Sequence, residues 1–172
     1  MWTIDLPSPV GTLRAFASEN GLRALSWPGE DAARLAAGSA PGVGQAVLQQ
    51  LAHQLAQYFA GERTVFELPL DPVGTPFQLA AWRALCTIPF GATRTYAQQA
   101  AAVGRPRAAR AVGAANARNA LAIVVPCHRV VGAGGSLTGF AGGLDAKRTL
   151  LEHEARVLGA RAARPPAAGV RA

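Results

Sequence analysis

Thr95-Tyr96-Ala97-Gln98, Gly104-Arg105-Pro106-Arg107 and Ala108-Ala109-Arg110-Ala111-Val112-Gly113-Ala114-Ala115-Asn116 are successive pieces of one stretch that fixes the architecture. Thr95 and Gln98 have the spacing of a capping box, in which two side chains satisfy orphan backbone donors at a helix start. Gly104 stops that helix. After Arg105-Pro106 another is expected over roughly Arg107 to Asn116. Two short helices joined by a Gly-containing turn, in a basic segment, form the pattern of a helix-turn-helix. Upstream, Thr75-Pro76-Phe77-Gln78 repeats the start signal, with Phe77, Ala80, Ala81, Ala84 and Leu85 marking a buried face and Pro89 with Gly91 ending it.

The second helix of the pair is unusual for a reader of base edges. Such a helix carries polar side chains into the major groove, whereas Ala108, Ala109, Ala111 and Gly113 leave this one smooth, with Arg110 projecting alone. That surface suits close approach to a backbone or the minor groove, with Arg110 entering the base stack. An Ala-rich core helix is the alternative. The guanidinium groups of Arg105, Arg107 and Arg110 weigh against it.

Charge supports a polyanionic partner. The formal net charge is +7, but residues 1–71 carry four Arg against seven acids, while Pro72 to Leu144 holds seven Arg and no Asp or Glu. The imbalance is therefore local. A field of this sign attracts nucleic acid, and Arg supplies planar, bidentate contacts that Lys cannot.

Into the same segment falls Val124-Val125-Pro126-Cys127-His128-Arg129-Val130-Val131. Only the thiolate of a cysteine is a useful nucleophile, and a neighbouring base or cation promotes it. The imidazole of His128 and the guanidinium of Arg129 stand next in sequence. Pro126 lacks a backbone donor, so the chain should leave strand pairing there and present the sulfur at an element's end. Cys86, in the apolar run Trp82-Arg83-Ala84-Leu85-Cys86, is instead expected to be a buried hydrophobe. Two cysteines and three histidines without paired spacings make no zinc site, so neither metal nor cofactor is expected. The Gly-rich run from Gly132 to Gly143 lacks a P-loop ending and is read as a pocket wall or lid over the thiol.

The fold class expected is α/β (α+β): a small N-terminal mixed α/β domain over 1–71, and a C-terminal helical domain over 72–158 with a winged-helix-like helix-turn-helix. The apolar runs Trp2-Thr3-Ile4, Leu13 to Ala17 and Leu22 to Trp27, with Asn20-Gly21 as a hairpin turn, predict an antiparallel sheet. A short helix is allowed around Asp31 to Ala37, and the period of Val47, Leu48, Leu51, Leu55, Tyr58 and Phe59 predicts an amphipathic helix with His53 on its polar side. Asp145 could cap the last helix, which carries Leu150, Leu151 and Leu158 inward, and the Ala/Arg/Pro tail over 159–172 reads as disordered. No run reaches membrane-spanning length and no secretory leader is evident, so a cytoplasmic protein is expected.

Thr-Pro-Phe-Gln, Ile-Pro-Phe-Gly, Thr-Tyr, Ala-Ala-Arg-Ala-Val-Gly and Pro-Cys-His-Arg, in that order from about Thr75 to Ala155, resemble the O6-alkylguanine-DNA alkyltransferases, also named methylated-DNA–protein-cysteine methyltransferases. The resemblance implies stoichiometric transfer of an alkyl group from guanine O6 in double-stranded DNA to Cys127, inactivating the protein, with thymine O4 left open as a second substrate. It implies that His128 deprotonates Cys127 through a water and is oriented by Glu154, that Tyr96 donates to guanine N3, and that Asn119 ties the preceding turn to the active-site segment. The carbonyls of Val125 and Cys127 would accept from the base's amino group. Thr138, Phe140 and Ala141 would line the substrate pocket, and Arg110 would fill the gap left by a flipped nucleotide. Minor-groove binding by Ala108, Ala109, Ala111, Gly113, Arg105 and Arg107, and a monomer with cooperative binding left open, complete the implication. Ala120 stands where many members have proline, Phe140 where tyrosine is common, and Ala141 where some have serine. The rivals are a lesion-sensing recruiter, whose known kind lacks the cysteine, a cysteine hydrolase, and a transcription factor that would leave the thiol idle.

Overall fold

The computed structural model describes residues 2–29 and 44–163. The helix expected around Asp31 to Ala37 and the end of the tail lie outside the described residues. Strands β1 (Trp2–Leu6), β2 (Leu13–Ala17) and β3 (Leu22–Ser26) form an antiparallel sheet in the order β1-β2-β3. The β2–β3 turn contains Asn20-Gly21 as anticipated. Gly21 there has a φ of 150°, and an added Cβ would overlap the Pro69 carbonyl, so glycine lets the hairpin lie against the linker. Helix α1 (Gly44–Phe59) packs on this sheet through Val47, Leu48, Leu51, Leu55 and Tyr58, while His53 is exposed.

The free edge of β3 is not left open. Leu22 pairs with Leu70, and Leu25 with Leu121, both in parallel. Leu25 N donates to Ala120 O at 2.7 Å and Ala122 N to Leu25 O at 3.0 Å. The segment leading to Cys127 is thus hydrogen-bonded to the N-terminal sheet.

Helices α2 (Pro76–Leu85), α3 (Tyr96–Ala102) and α4 (Ala109–Asn116) follow, with α3 and α4 forming the helix-turn-helix. Both capping boxes are present: Thr75 with Gln78, and Thr95 with Gln98. Helix α4 begins two residues later than expected because Ala108 at its N-cap offers no side-chain acceptor. A two-stranded parallel pair, β4 (Arg94–Thr95) with β5 (Val130–Val131), joins the start of α3 to the chain directly after Arg129. Only the second β-branched run of Val124 to Val131 is strand.

Buried amides hold the three helices in register. Gln99 and Asn116 exchange hydrogen bonds at 3.0 and 2.7 Å, Gln99 also donates to Ala81 O at 3.2 Å, and Trp82 Nε1 donates to Ala115 O at 2.9 Å. Each buried polar group is satisfied only when α2, α3 and α4 meet in this one arrangement.

Helix α5 (Gly143–Ala163) differs from expectation at both ends. It starts before Asp145, which sits in its first turn, and it continues through Gly159, so the expected tail over 159–172 cannot begin at 159. Arg161 explains the extension by donating to the carbonyls of Gly61 and Glu62 at 2.9 and 3.0 Å. Leu150 is fully buried, but Leu158 is 41% exposed. It covers Gly91, where an added Cβ would overlap the Leu158 side chain. Cys86 is exposed, not buried, because α2 ends at Leu85 and the thiol sits at its C-cap, off the helix's buried face.

Gln99→Leu is expected to strand the Asn116 amide in the core and to cost about 1–3 kcal/mol. Urea denaturation of the variant checks this; an unchanged midpoint would contradict the registering role.

Candidate active site

Cys127 opens a single 3-10 turn, Cys127–Arg129, directly after Pro126. The thiol therefore stands at an element's end, as the proline required, yet only 8% exposed. The approach is strained. Ile123 is the one non-glycine residue with positive φ among the described residues, at 66°. A β-branched residue avoids this region, and it is held there by burial at 1% exposure and by the Val124 N to Ala122 O and Val125 N to Leu121 O hydrogen bonds. This reversal brings Val125 back toward Asn119.

Asn119 ties the two sides together. Its Nδ2 donates to Val125 O at 2.8 Å and to Cys127 Sγ at 3.2 Å, while its Oδ1 accepts from Leu121 N at 3.1 Å. The turn is thus braced despite Ala120 in the position of a proline. A donor aimed at sulfur favours the thiolate. Val125 O accepts from Cys127 N as well as from Asn119 Nδ2, which engages both its lone pairs, whereas Cys127 O accepts from Val130 N and keeps one free.

His128 and Glu154 are both fully buried, with His128 Nε2 and Glu154 Oε1 2.8 Å apart. The other ring nitrogen, Nδ1, is buried without a hydrogen-bond partner among the described residues. Burial pushes the His128 imidazole below its ordinary pKa, opposed by Glu154 and reinforced by the charges of Arg129 and Lys147. The net shift favours the neutral imidazole.

Arg129 departs from its expected place beside the thiol. Its guanidinium is buried against Glu154, with Nε and Nη2 3.0–3.2 Å from the carboxylate, Nη1 donating to Ile88 O at 2.7 Å, and the Phe90 ring 5.7 Å away. Burial draws it to the one carboxylate that can neutralise it. The cation facing Cys127 is instead Lys147. That side chain, fully buried, donates to Val130 O and Thr138 O at 2.6 and 3.2 Å. Burial lowers its pKa, and the charge of Cys127 opposes the fall. Its ammonium also lies 5.9 Å from the Tyr96 ring and 5.7 Å from that of Phe140. In the sequence Lys147 reads as an ordinary helix-surface lysine, and only its spacing two residues after Asp145, before the buried Leu150, could have placed it inward.

The Gly-rich run folds against the N-terminal half. Phe140 is half-buried, edge-on to Trp27 of the N-terminal half at 5.2 Å between ring centres, and an added Cβ on Gly142 would overlap the Trp27 indole. Thr138 and Ala141 are exposed beside it. Tyr96, half-buried, lies on Gly113, where an added Cβ would stand 3.6 Å from the ring. Arg105, Arg107, Arg110 and Ala111 are exposed, and Ala108, Ala109 and Gly113 are half-buried, on the helix-turn-helix. Val125 is buried.

The chain matches two family models, the DNA binding domain of 6-O-methylguanine DNA methyltransferase over residues 76–156 and its ribonuclease-like domain over residues 4–72. The chain belongs to the O6-methylguanine DNA methyltransferase family. Within that family, the methylated-DNA–protein-cysteine methyltransferase of Methanosarcina barkeri is 45% identical over 150 residues, covering 87% of this chain and 94% of the relative. That of Mycolicibacterium paratuberculosis is 60% identical over 103 residues, covering 60% and 62% of the two chains. A crystal structure of Mycobacterium tuberculosis OGT in complex with DNA superposes with a TM-score of 0.79 at 45% identity, covering 90% of this chain and 92% of that one. The N-terminal mixed domain and C-terminal helical DNA-binding domain are therefore those of the methyltransferase family. Among the described residues, no helix is long and apolar enough to cross a membrane.

Burial alone would raise the Glu154 pKa, but hydrogen bonds and charges from His128 and Arg129 outweigh it and hold it down at about 2. A carboxylate depressed in this way contributes stability that is present above its unfolded value and lost as the pH falls through its folded one, here worth about 3 kcal/mol. Glu154→Gln carries an amide where the protonated acid would be. It should be less stable than the wild type at pH 6 and decline less steeply between pH 4.5 and 2, as urea denaturation across that range would show.

Proposed function

We propose that the chain repairs DNA by moving an alkyl group from guanine O6 to Cys127 in a single, self-inactivating turnover. The observation that carries this reading is the set of buried Cys127, His128 and Glu154 with half-buried Asn119, in a chain whose helix-turn-helix is acid-free and bears arginines. Sulfur attacks the alkyl carbon in line, the S–C bond forms as the C–O6 bond breaks, and the electron pair leaves with guanine, which takes up a proton. The protein needs a thiolate and a proton source. His128, neutral and with Nδ1 uncommitted, accepts the Cys127 proton through a bridging water while Glu154 steadies the imidazolium. Asn119 and the Lys147 ammonium stabilise the sulfur's charge. Tyr96 supplies a hydrogen bond to N3 of the departing base.

A thiol this deep cannot meet a base inside a duplex, so the nucleotide flips out. Ala108, Ala109, Ala111 and Gly113 let α4 approach the minor groove, Arg105 and Arg107 hold phosphates, and Arg110 takes the vacated place in the stack. Thr138, Phe140 and Ala141 wall the flipped base. The protein acts as a cytoplasmic monomer on O6-alkylguanine in double-stranded DNA, without metal or cofactor.

Intact mass after incubation with duplex DNA carrying one O6-methylguanine tests the reading. The expected result is a gain of one methyl group on Cys127 in stoichiometric yield, absent in Cys127→Ser, which should still bind the DNA. Selective binding with no mass gain would favour the recruiter instead. Arg110→Ala should slow repair of the duplex by at least tenfold while sparing transfer from free O6-alkylguanine; equal loss on both substrates would contradict the finger role.

A further inference from the structure

Among the hydrogen bonds Glu154 accepts that the alkyl-transfer scheme leaves unused is one from α1. Its Oε1 accepts from the Tyr58 hydroxyl at 2.9 Å, alongside His128 Nε2 at 2.8 Å and Arg129 Nη2 at 3.0 Å. Its Oε2 accepts from Gly91 N at 2.7 Å and Arg129 Nε at 3.0 Å. Tyr58 lies in α1, and its ring is fully buried among Phe59, Phe66, Phe90 and His153. We propose that Tyr58 is a positioning residue for the alkyl transfer, its hydroxyl fixing Glu154 Oε1 and limiting how strongly that oxygen holds a proton on His128. The proposal rests on His128 acting as the base toward Cys127.

The physical argument is competition at one oxygen. A carboxylate oxygen shared among a phenol, a guanidinium and an imidazole is less basic toward each than toward one alone. Burial and the Glu154 charge raise the Tyr58 pKa far above its ordinary value, so the phenol is a neutral donor at any pH the fold withstands. The groups that face the His128–Glu154 pair are Tyr58 from α1, Gly91 N from the loop after α2, Arg129 from the 3-10 turn, and Lys147 from α5, whose charge also meets Cys127. His153, next to Glu154 in α5, is turned away, with its Nε2 against Tyr58 O at 2.7 Å and its Nδ1 against Arg156. Deleting the Tyr58 hydroxyl frees Oε1 for the imidazolium. His128 then keeps its proton to higher pH and is lost as a base over that range.

The test is single-turnover transfer from duplex DNA carrying one O6-methylguanine, followed by intact mass as a function of pH. Tyr58→Phe keeps the ring packing and should move the acid limb of the rate profile upward by about half to one pH unit, with DNA affinity unchanged. Site-specific 3-fluorotyrosine at position 58, a stronger donor that retains the hydroxyl, should move the limb downward. Limbs that coincide with the wild type, or a uniform loss of rate at every pH, would overturn the proposal and leave Tyr58 a packing residue. If Tyr58→Phe does not fold, the fluorinated protein alone decides. A wild-type protein that acquires no methyl group at any pH is a different outcome: it defeats the alkyl-transfer reading itself.

Discussion

A buried carboxylate organises this molecule. Glu154 sits in α5 with no exposure, and its donors arrive from α1, the loop at Gly91 and the nucleophile turn. Desolvating a carboxylate is costly unless every lone pair is met, and removing one partner leaves the charge uncompensated. The four segments therefore have one arrangement in which the ion is tolerable. That arrangement also fixes the imidazole of His128 in tautomer and orientation, so the contacts that make burial of the ion tolerable also place the ring beside the thiol's turn.

The helix-turn-helix is assembled on a different principle. Its inner faces are locked by neutral amides, Gln99 with Asn116, which specify register without introducing charge. The outer face is left to Arg and to residues too small to stand between a helix and a nucleic acid. The tasks are kept apart in the ion pairs: Asp5, Asp71 and Glu67 engage Arg14, Arg23 and Arg63 of the N-terminal half. Among the described residues, the only arginine of residues 72–144 in a salt bridge is Arg129, which is committed to Glu154.

Much of this was legible in the sequence because it is written in local signals. Both capping boxes, the Asn20-Gly21 turn, the period of α1 and the break at Pro126 depend on residues within four positions of one another, and all appear in the structure. What was missed is non-local. Tyr58 fits the apolar stripe of α1, and nothing nearby reveals that its hydroxyl meets a carboxylate 96 residues away. Arg129 follows the thiol in sequence, but the 3-10 turn rotates it toward Glu154 and leaves the cation's place to Lys147. Cys86 was misplaced because an apolar neighbourhood in sequence says little about a residue at a helix's last turn, where the buried face has already ended.

The covered edge of β3 bears on how the two domains relate. Ala120 and Ala122 exchange backbone hydrogen bonds with Leu25, two residues from Trp27, whose indole abuts Phe140 and Gly142. The junction near residue 71 is a boundary in topology but not in energy. A C-terminal fragment would expose two backbone groups beside its strained Ile123, lose the indole packed on Phe140, and surrender a donor to its buried ion. Gene fusion or shuffling that separated the halves would carry away the helix-turn-helix intact and leave behind part of what holds the chemistry in place.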